Sequence, residues 1–304
     1  MDSEKINVCI PTYNREIMLT KLIKSIDKNI NIVVSDNGGF ITEKMTGQYA
    51  NVLLKPSNKV LEIFTNWNNA VALSNAEYVV IPSDDDLYLD NAFDIILSEI
   101  NKSPDLDVLI FGHHYIDEND NIIHTWNFGR YERFEAPHGF KIFEFGVDAR
   151  MPSIVFKREF LEKIGLFDTN FKLTAADSDL IQRALLYGTV QFIPKIIACY
   201  RVWGGGLTAQ KQASKEWLNE IEYWTTKVGA LAEKQYSDNN MKFKAEEFSH
   251  EILARNILAG AKTLISRGDK KQASEFILTT GIPTHCKLKT KFKLLKIIAT
   301  SYFY

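Results

Sequence analysis

Apolar and polar positions along the first hundred residues separate into short β-rich runs and amphipathic helical patterns. Ile6–Ile10 is a continuous apolar-rich run that ends at Pro11. Leu19, Leu22, Ile23 and Ile26 then recur at helical spacing, which predicts a helix over 15–28. Asn31–Ser35 predicts a second strand, closed by the turn signal Asp36-Asn37-Gly38-Gly39. Val52–Leu54 suits a third strand, and Ile63, Trp67, Ala70 and Val71 mark the next helix. Tyr78–Ile81 is a further apolar run that empties into Pro82-Ser83-Asp84-Asp85-Asp86. Strands that alternate with helices need crossover connections, so the sheet is expected to be largely parallel. In such a sheet ligands bind where strands end and loops begin. Three polar clusters fall there: Thr12–Arg15, Asp36 and Asp84–Asp86.

The middle of the chain is mixed. Asp107–Phe111 and Ile196–Val202 read as strands, Arg158–Ile164 and Asp177–Tyr187 as helices. From about 209 onward helical patterns dominate, through Trp217–Leu231, Glu246–Ser266 and Lys270–Leu278, with breaks at Gly268 and Gly281-Ile282-Pro283. The expected organisation is a catalytic domain over 1–208, divided near residue 100 into two halves, and a helical C-terminal region over 209–304. Its boundary is placed at Gly204-Gly205-Gly206, read as a hinge.

Composition narrows the class. Hydrophobic residues make up 45% and charged residues 24% of 304, a balance that supports a sizeable core. A net charge of −2 argues against a nucleic-acid binder, which carries a strong basic excess. Cys9, Cys199 and Cys286 are widely spaced, which disfavours a disulfide framework or a structural zinc site. The start, Met1-Asp2-Ser3-Glu4-Lys5, lacks a signal-peptide pattern, and no stretch approaches the roughly 20 apolar residues of a membrane span. A cytoplasmic protein is expected.

Three consecutive carboxylates after an apolar strand repel one another unless a positive group sits among them. The triplet alone leaves two readings open. One is a solvated acidic turn, with Asp90 capping the helix that follows. The other is a site for Mg²⁺ or Mn²⁺, hard cations that take carboxylate oxygens and keep water and phosphate oxygens as further ligands.

The neighbouring motifs favour the second. Val8-Cys9-Ile10-Pro11-Thr12-Tyr13-Asn14-Arg15 resembles the opening strand and loop of glycosyltransferase family 2, and Ile32-Val33-Val34-Ser35-Asp36-Asn37 resembles its second strand. Asn66-Trp67-Asn68-Asn69-Ala70 is similar to its helix before the metal motif, and Ser83-Asp84-Asp85-Asp86-Leu87 to that motif. Gly165-Leu166-Phe167-Asp168 and Ala176-Asp177-Ser178-Asp179-Leu180 resemble its acceptor-side loop and catalytic-base motif. The resemblance spans about residues 6–208 and rests on the order and spacing of these segments. It implies the GT-A fold, a Rossmann-like α/β sheet of mixed, mainly parallel strands flanked by helices. It also implies an inverting transferase that moves a sugar from a nucleotide-sugar donor to a glycan, expected to be lipid-linked, in surface polysaccharide synthesis.

Carried over residue by residue, the resemblance assigns donor binding to Pro11, Tyr13, Asn14, Arg15, Asp36, Asn66, Asp84 and Arg201. Asp36 would contact the base. Asp84 would lie near the ribose, and Asn14, Arg15 and Asn66 by the ribose or phosphates. The divalent metal (Mn²⁺ or Mg²⁺) falls on Asp85, or on Asp86 if the alignment shifts by one, because Ser83 stands where the family often has the first aspartate. Asp177 would be the base, Ala176 standing where the family often has Glu. Turn formation is the competing role for Asn14 and Asn66, and helix capping for Asp177 and Asp179. In Tyr200-Arg201-Val202-Trp203-Gly204-Gly205, Trp203 stands where the family often has histidine, which removes a metal or diphosphate ligand.

Other constellations fail. Asp117–Asn121 lacks the Gly and Glu of a calcium loop and reads as a hairpin turn, and alternating strand faces separate His113 from His114. No GxGxxG follows the first strand. A sugar nucleotidyltransferase shares the architecture but carries a Gly-rich phosphate loop absent here; a non-catalytic nucleotide-sugar-binding protein is the remaining alternative. After Glu275 no acid appears, while Lys287, Lys289, Lys291, Lys293 and Lys296 alternate with apolar and aromatic residues. The 287–304 segment therefore suits peripheral contact with the inner face of a membrane, or a terminal helix packed on its own region or on a second copy in a homo-oligomer.

Overall fold

A computed structural model describes residues 3–42, 47–203 and 211–301. The chain divides into two compact units. The first comprises Met1–Ile142, Val147–Lys172 and Ala184–Trp203, and the second Phe143–Gly146, Leu173–Arg183 and Gly204–Tyr304. The hinge expected at Gly204–Gly206 lies outside the described residues.

The first unit is built on one sheet. Its strands are β1 (Ile6–Thr12), β2 (Asn31–Asp36), β3 (Val52–Pro56), β4 (Tyr78–Val80), β5 (Leu87–Tyr88), β6 (Val108–Ile116), β7 (Ile122–Trp126), β8 (Glu132–Phe134), β9 (Ile154–Lys157) and β10 (Val190–Arg201). The order is β3-β2-β1-β4-β9-β6-β10-β5, with β7 on β6 and β8 on β10. Strands β3, β2, β1 and β4 pair in parallel, as do β6 and β10. Strand β9 joins the two parallel groups by antiparallel pairing to β4 and β6. Every residue of β1 is buried, which explains why it reads as a continuous apolar run rather than an alternation. Its Val8 and Ile10 share a core with Leu19, Leu22 and Ile23 of α1 (Glu16–Ser25), and with Val34, Val80 and Phe111. Helices α2 (Ile63–Ala72), α3 (Ala92–Lys102) and α4 (Arg158–Lys163) complete this unit.

The strand expected over Ile196–Val202 is the second half of the longer β10. Pro194 lies inside that strand, and the β6 pairing slips register between Ile193 and Ile196. A proline cannot donate to the ladder and is tolerated at such irregularities, so it masks the first half in sequence. The Asp117–Asn121 segment is the turn of the β6–β7 hairpin, where Asp117 accepts the amides of Asn119 and Asn121. His113 is buried beside Ser153, whereas His114 faces Thr125.

Helix α5 (Ala176–Tyr187) begins in the second unit, and the division falls within it. This unit continues with α6 (Lys215–Asp238), α7 (Ala245–Ser266), α8 (Lys270–Thr280) and α9 (Leu288–Ser301). Ser214 caps α6 by accepting the Trp217 amide, and Asp269 caps α8 through Gln272. Trp217, Ile221, Trp224 and Val228 recur on one face of α6 and are buried, as are Phe248, Ile252 and Ile257 of α7. No described helix is long and apolar enough to cross a membrane.

Candidate active site

The aspartate triplet follows the end of β4, as expected, but its three carboxylates do different things. Asp84 is buried; its Oδ2 accepts the Thr12 hydroxyl at 2.7 Å and its Oδ1 accepts Arg15 Nη1 at 3.0 Å. Burial pushes the Asp84 carboxyl up to about 6, against the pull of the Arg15 guanidinium and with a further push from Asp85. Asp86 is 1% exposed, and its oxygens accept the backbone amides of Ser83 and Arg201 at 2.9 and 3.2 Å. Burial, then the Asp85 charge, raises Asp86 well above the ordinary carboxylate range. Asp86, the alternative metal position, closes the turn and ties it to β10, and backbone amides reach both of its oxygens.

Asp85 is the carboxylate of the three that this scaffold leaves accessible. Its Oδ2 accepts Arg15 Nη1 at 3.2 Å and the indole N–H of Trp203 at 3.0 Å, while no hydrogen bond to Oδ1 is made among the described residues. Arg15 also lies over the Trp203 ring, 5.5 Å from its centroid. Arg201 is buried behind the triplet, donating to the carbonyls of Asp85 and Asp117 and pairing with Asp120. Its guanidinium is thus engaged with the loops around the triplet.

At the end of β2, Asp36 is fully buried. Its Oδ2 accepts the amide of Ile41 at 2.8 Å, and its Oδ1 is buried without a partner among the described residues. The turn after it needs left-handed backbone at Gly38 and Gly39, with φ of +94° and +71°. A Cβ on Gly38 would lie 2.6 Å from the Phe40 ring, so glycine lets Phe40 fold back against Tyr13, at 5.4 Å between ring centroids. Tyr13 is half exposed, Asn14 holds a left-handed φ of 53°, and Pro11 is buried within β1. Asn66 is buried, donating to the carbonyls of Thr12 and Ser35 and accepting the Ser35 hydroxyl. It fastens the ends of β1 and β2 together. A cavity of about 470 Å³ opens at β3 and α2, lined by Ser35, Lys55, Ser57, Asn58 and Asn69.

The expected base, Asp177, lies in the second unit in the first turn of α5, half-buried. Asp179 is fully buried between Arg183, one turn along, and Lys227 of α6, so it is a structural ion pair. The chain leading into α5 is held from α6: the Glu220 carboxylate accepts the amides of Leu173, Thr174 and Ala175 at 2.8, 2.7 and 2.9 Å. Sequence reading missed Glu220 because one acid on an amphipathic helix looks like any solvated one. Thr12 and Trp203 lie within quoted motifs, but their bonds to Asp84 and Asp85 needed the fold.

Hard divalent cations accept few protein carboxylates when waters and phosphates complete their shell. One open carboxylate oxygen on Asp85 fits Mg²⁺ or Mn²⁺ held jointly with a diphosphate. It does not fit a metal cage built by the protein alone.

The sequence model of "Glycosyl transferase family 2" matches residues 7–165. A β-1,3-glucosyltransferase of Campylobacter jejuni acting on GalNAc(5)-diNAcBac-PP-undecaprenol is 28% identical over 131 residues, 39% of this chain and 40% of that protein. The match thus spans well under half of that relative. An uncharacterized glycosyltransferase of Rickettsia typhi is 25% identical across 83% of this chain and 78% of its own length. Among solved structures, S. aureus TarS 1-349 in complex with UDP-GlcNAc superimposes with a TM-score of 0.63 at 16% identity, covering 98% of this chain and 90% of that one. At that identity the likeness shows the fold, the GT-A architecture expected from sequence.

Proposed function

The chain belongs to glycosyl transferase family 2, and on that premise we propose that it is an inverting transferase using a nucleotide-sugar donor and a lipid-linked glycan acceptor in surface polysaccharide synthesis. The observation that carries the donor assignment is Asp36 Oδ1, a buried carboxylate oxygen with no partner. An unpaired buried acceptor costs about 1–3 kcal/mol, more when charged, and a base N–H is a group that satisfies it. Tyr13 then offers its exposed ring to the base, and Asn14 and Arg15 lie at the phosphate side of the loop. Asp85 would hold Mn²⁺ or Mg²⁺, which when bound neutralises charge on the departing diphosphate. Arg15 and Trp203 fix the Asp85 carboxylate in orientation. Asp177 takes the proton of the acceptor hydroxyl as that oxygen bonds to the anomeric carbon and the nucleoside diphosphate leaves. The diphospho-undecaprenol glycan on which the C. jejuni enzyme acts and the UDP-GlcNAc bound by TarS support these acceptor and donor classes.

Helix α9 supports a place at the cytoplasmic face of a membrane. Leu288, Phe292 and Leu295 are exposed at i, i+4 and i+7, and Lys289, Lys293 and Lys296 follow each by one residue. An exposed apolar stripe edged by lysines is the pattern of a helix lying in an anionic interface. The function is tested by thermal shift with a set of nucleotide sugars, with and without Mn²⁺. Wild type should be stabilised by one donor only with metal, and Asp85→Ala should lose that response. Equal stabilisation of Asp85→Ala, with or without chelator, refutes the metal assignment.

A further inference from the structure

The second unit contains a groove of about 390 Å³ between α7 and α9, lined by Arg255, Lys262, Lys287, Lys289 and Lys293. Its one acid, Glu251, is 1% exposed and fully engaged. It accepts the Lys287 amide at 2.8 Å, the Thr290 hydroxyl at 2.9 Å and Arg255 Nε at 2.7 Å. These bonds lock the start of α9 against α7, so the groove walls are held in place. Arg255 also donates to the Phe145 carbonyl, and Lys287 Nζ lies 3.6 Å from the centroid of the Phe145 ring. The other three cations, Lys262, Lys289 and Lys293, are exposed and make no ion pair among the described residues. Five cationic groups therefore face one carboxylate that is already neutralised by Arg255. Like charges gathered on fixed walls repel, and the first turn of α9 adds its own positive helix end beside two of the lysines. Such a site gains by taking an anion with more than one negative charge.

We infer that this groove binds the diphosphate group of a lipid-linked acceptor. The inference rests on the acceptor class proposed above and assigns where that acceptor's charged group is held. Two features of the groove and its helix select a diphosphate over the single phosphate of a bilayer phospholipid. Three unpaired lysines exceed what one phosphodiester charge requires, and the exposed Leu288–Phe292–Leu295 stripe on the same helix offers a surface for an attached hydrocarbon chain.

The test uses the full chain in chelator, with geranyl diphosphate titrated by calorimetry. Lys262→Gln, Lys289→Gln and Lys293→Gln combined should bind at least about tenfold more weakly than wild type, while Asp85→Ala should bind as wild type does. All three lysines are exposed, and an unchanged melting temperature verifies folding. Absence of geranyl diphosphate binding to wild type overturns the proposal, as does equal binding by the triple variant. A third overturning result is a triple variant that loses only retention on phosphatidylglycerol vesicles, which makes the groove a phospholipid site. Loss of donor-dependent thermal stabilisation in wild type would instead defeat the transferase reading and leave the geranyl diphosphate result standing by itself.

Discussion

Asp84→Asn should make the protein more stable at neutral pH while impairing donor binding. The Asp84 carboxyl is raised from 3.8 to about 6 by burial, so its folded form holds a proton more tightly than its unfolded form. Stability contributed by that proton is fully present below pH 4, is lost as pH rises toward about 6, and stays lost above. A rise of about two pH units corresponds to about 3 kcal/mol at pH 7.5, at about 1.4 kcal/mol per unit. Asparagine is isosteric and neutral. Its carbonyl can accept from Arg15, and the Thr12 hydroxyl can turn to accept from its amide, so both bonds at Asp84 survive. The variant should therefore gain up to about 3 kcal/mol at pH 7.5, at most about 5 °C in melting temperature for a chain of this length, and nothing at pH 3.5. Urea melts of both proteins in chelator from pH 3.5 to 8 measure this difference directly. A variant equally or less stable at pH 7.5, or a difference that does not change across pH 4–6, refutes the claim that burial of this charge strains the site. A carboxylate kept at such a cost marks a functional position.

Asp177→Asn should keep donor-induced thermal stabilisation and lose transfer by about 10²–10⁴-fold; near-normal transfer would remove Asp177 from the role of base. Glu220→Gln replaces one acceptor oxygen with a donor facing a buried amide, which costs about 1–3 kcal/mol. Steady-state kinetics should then show kcat reduced with the donor KM unchanged, and a shift confined to donor KM contradicts the positioning role. Phe292→Glu should release the protein from anionic vesicles at low salt in co-sedimentation, and unaltered retention places the membrane contact elsewhere.

The first hundred residues were legible because their logic is local. Each polar cluster directly follows a continuous apolar run, and Asp36 and Asp84–Asp86 stand at the ends of β2 and β4 as that pattern predicts. What the pattern hides is partnership. Asp84, Asp85 and Asp86 are indistinguishable in sequence, and their different fates depend on Thr12, Arg15, Trp203 and the Arg201 amide, separated from the triplet by 69 to 118 positions. Arg201 and Asn66 fit motif positions for ligand contact, and their side chains also bond backbone carbonyls, of turns for Arg201 and of the strands β1 and β2 for Asn66. Strand β10 was half hidden by Pro194, and the short β9 by its antiparallel insertion between parallel neighbours.

The three-amide grip of Glu220 has a consequence for how such enzymes diversify. The family match ends at residue 165, ahead of the segment that Glu220 holds. In this chain that segment and the helix that supplies the carboxylate act as one unit, although 43 residues separate Asp177 from Glu220 in the sequence. Grafting a foreign C-terminal region onto residues 1–208 would replace the support of the segment leading to Asp177 along with the groove on α7 and α9. Chimeras joined near residue 208 should fail in turnover while still recognising donor, whereas those joined near 170 carry the acid, its clamp and the helices across together. Exchange at that earlier seam also replaces β10, so the incoming chain must itself supply the backbone amide and indole that Arg201 and Trp203 here direct at Asp86 and Asp85.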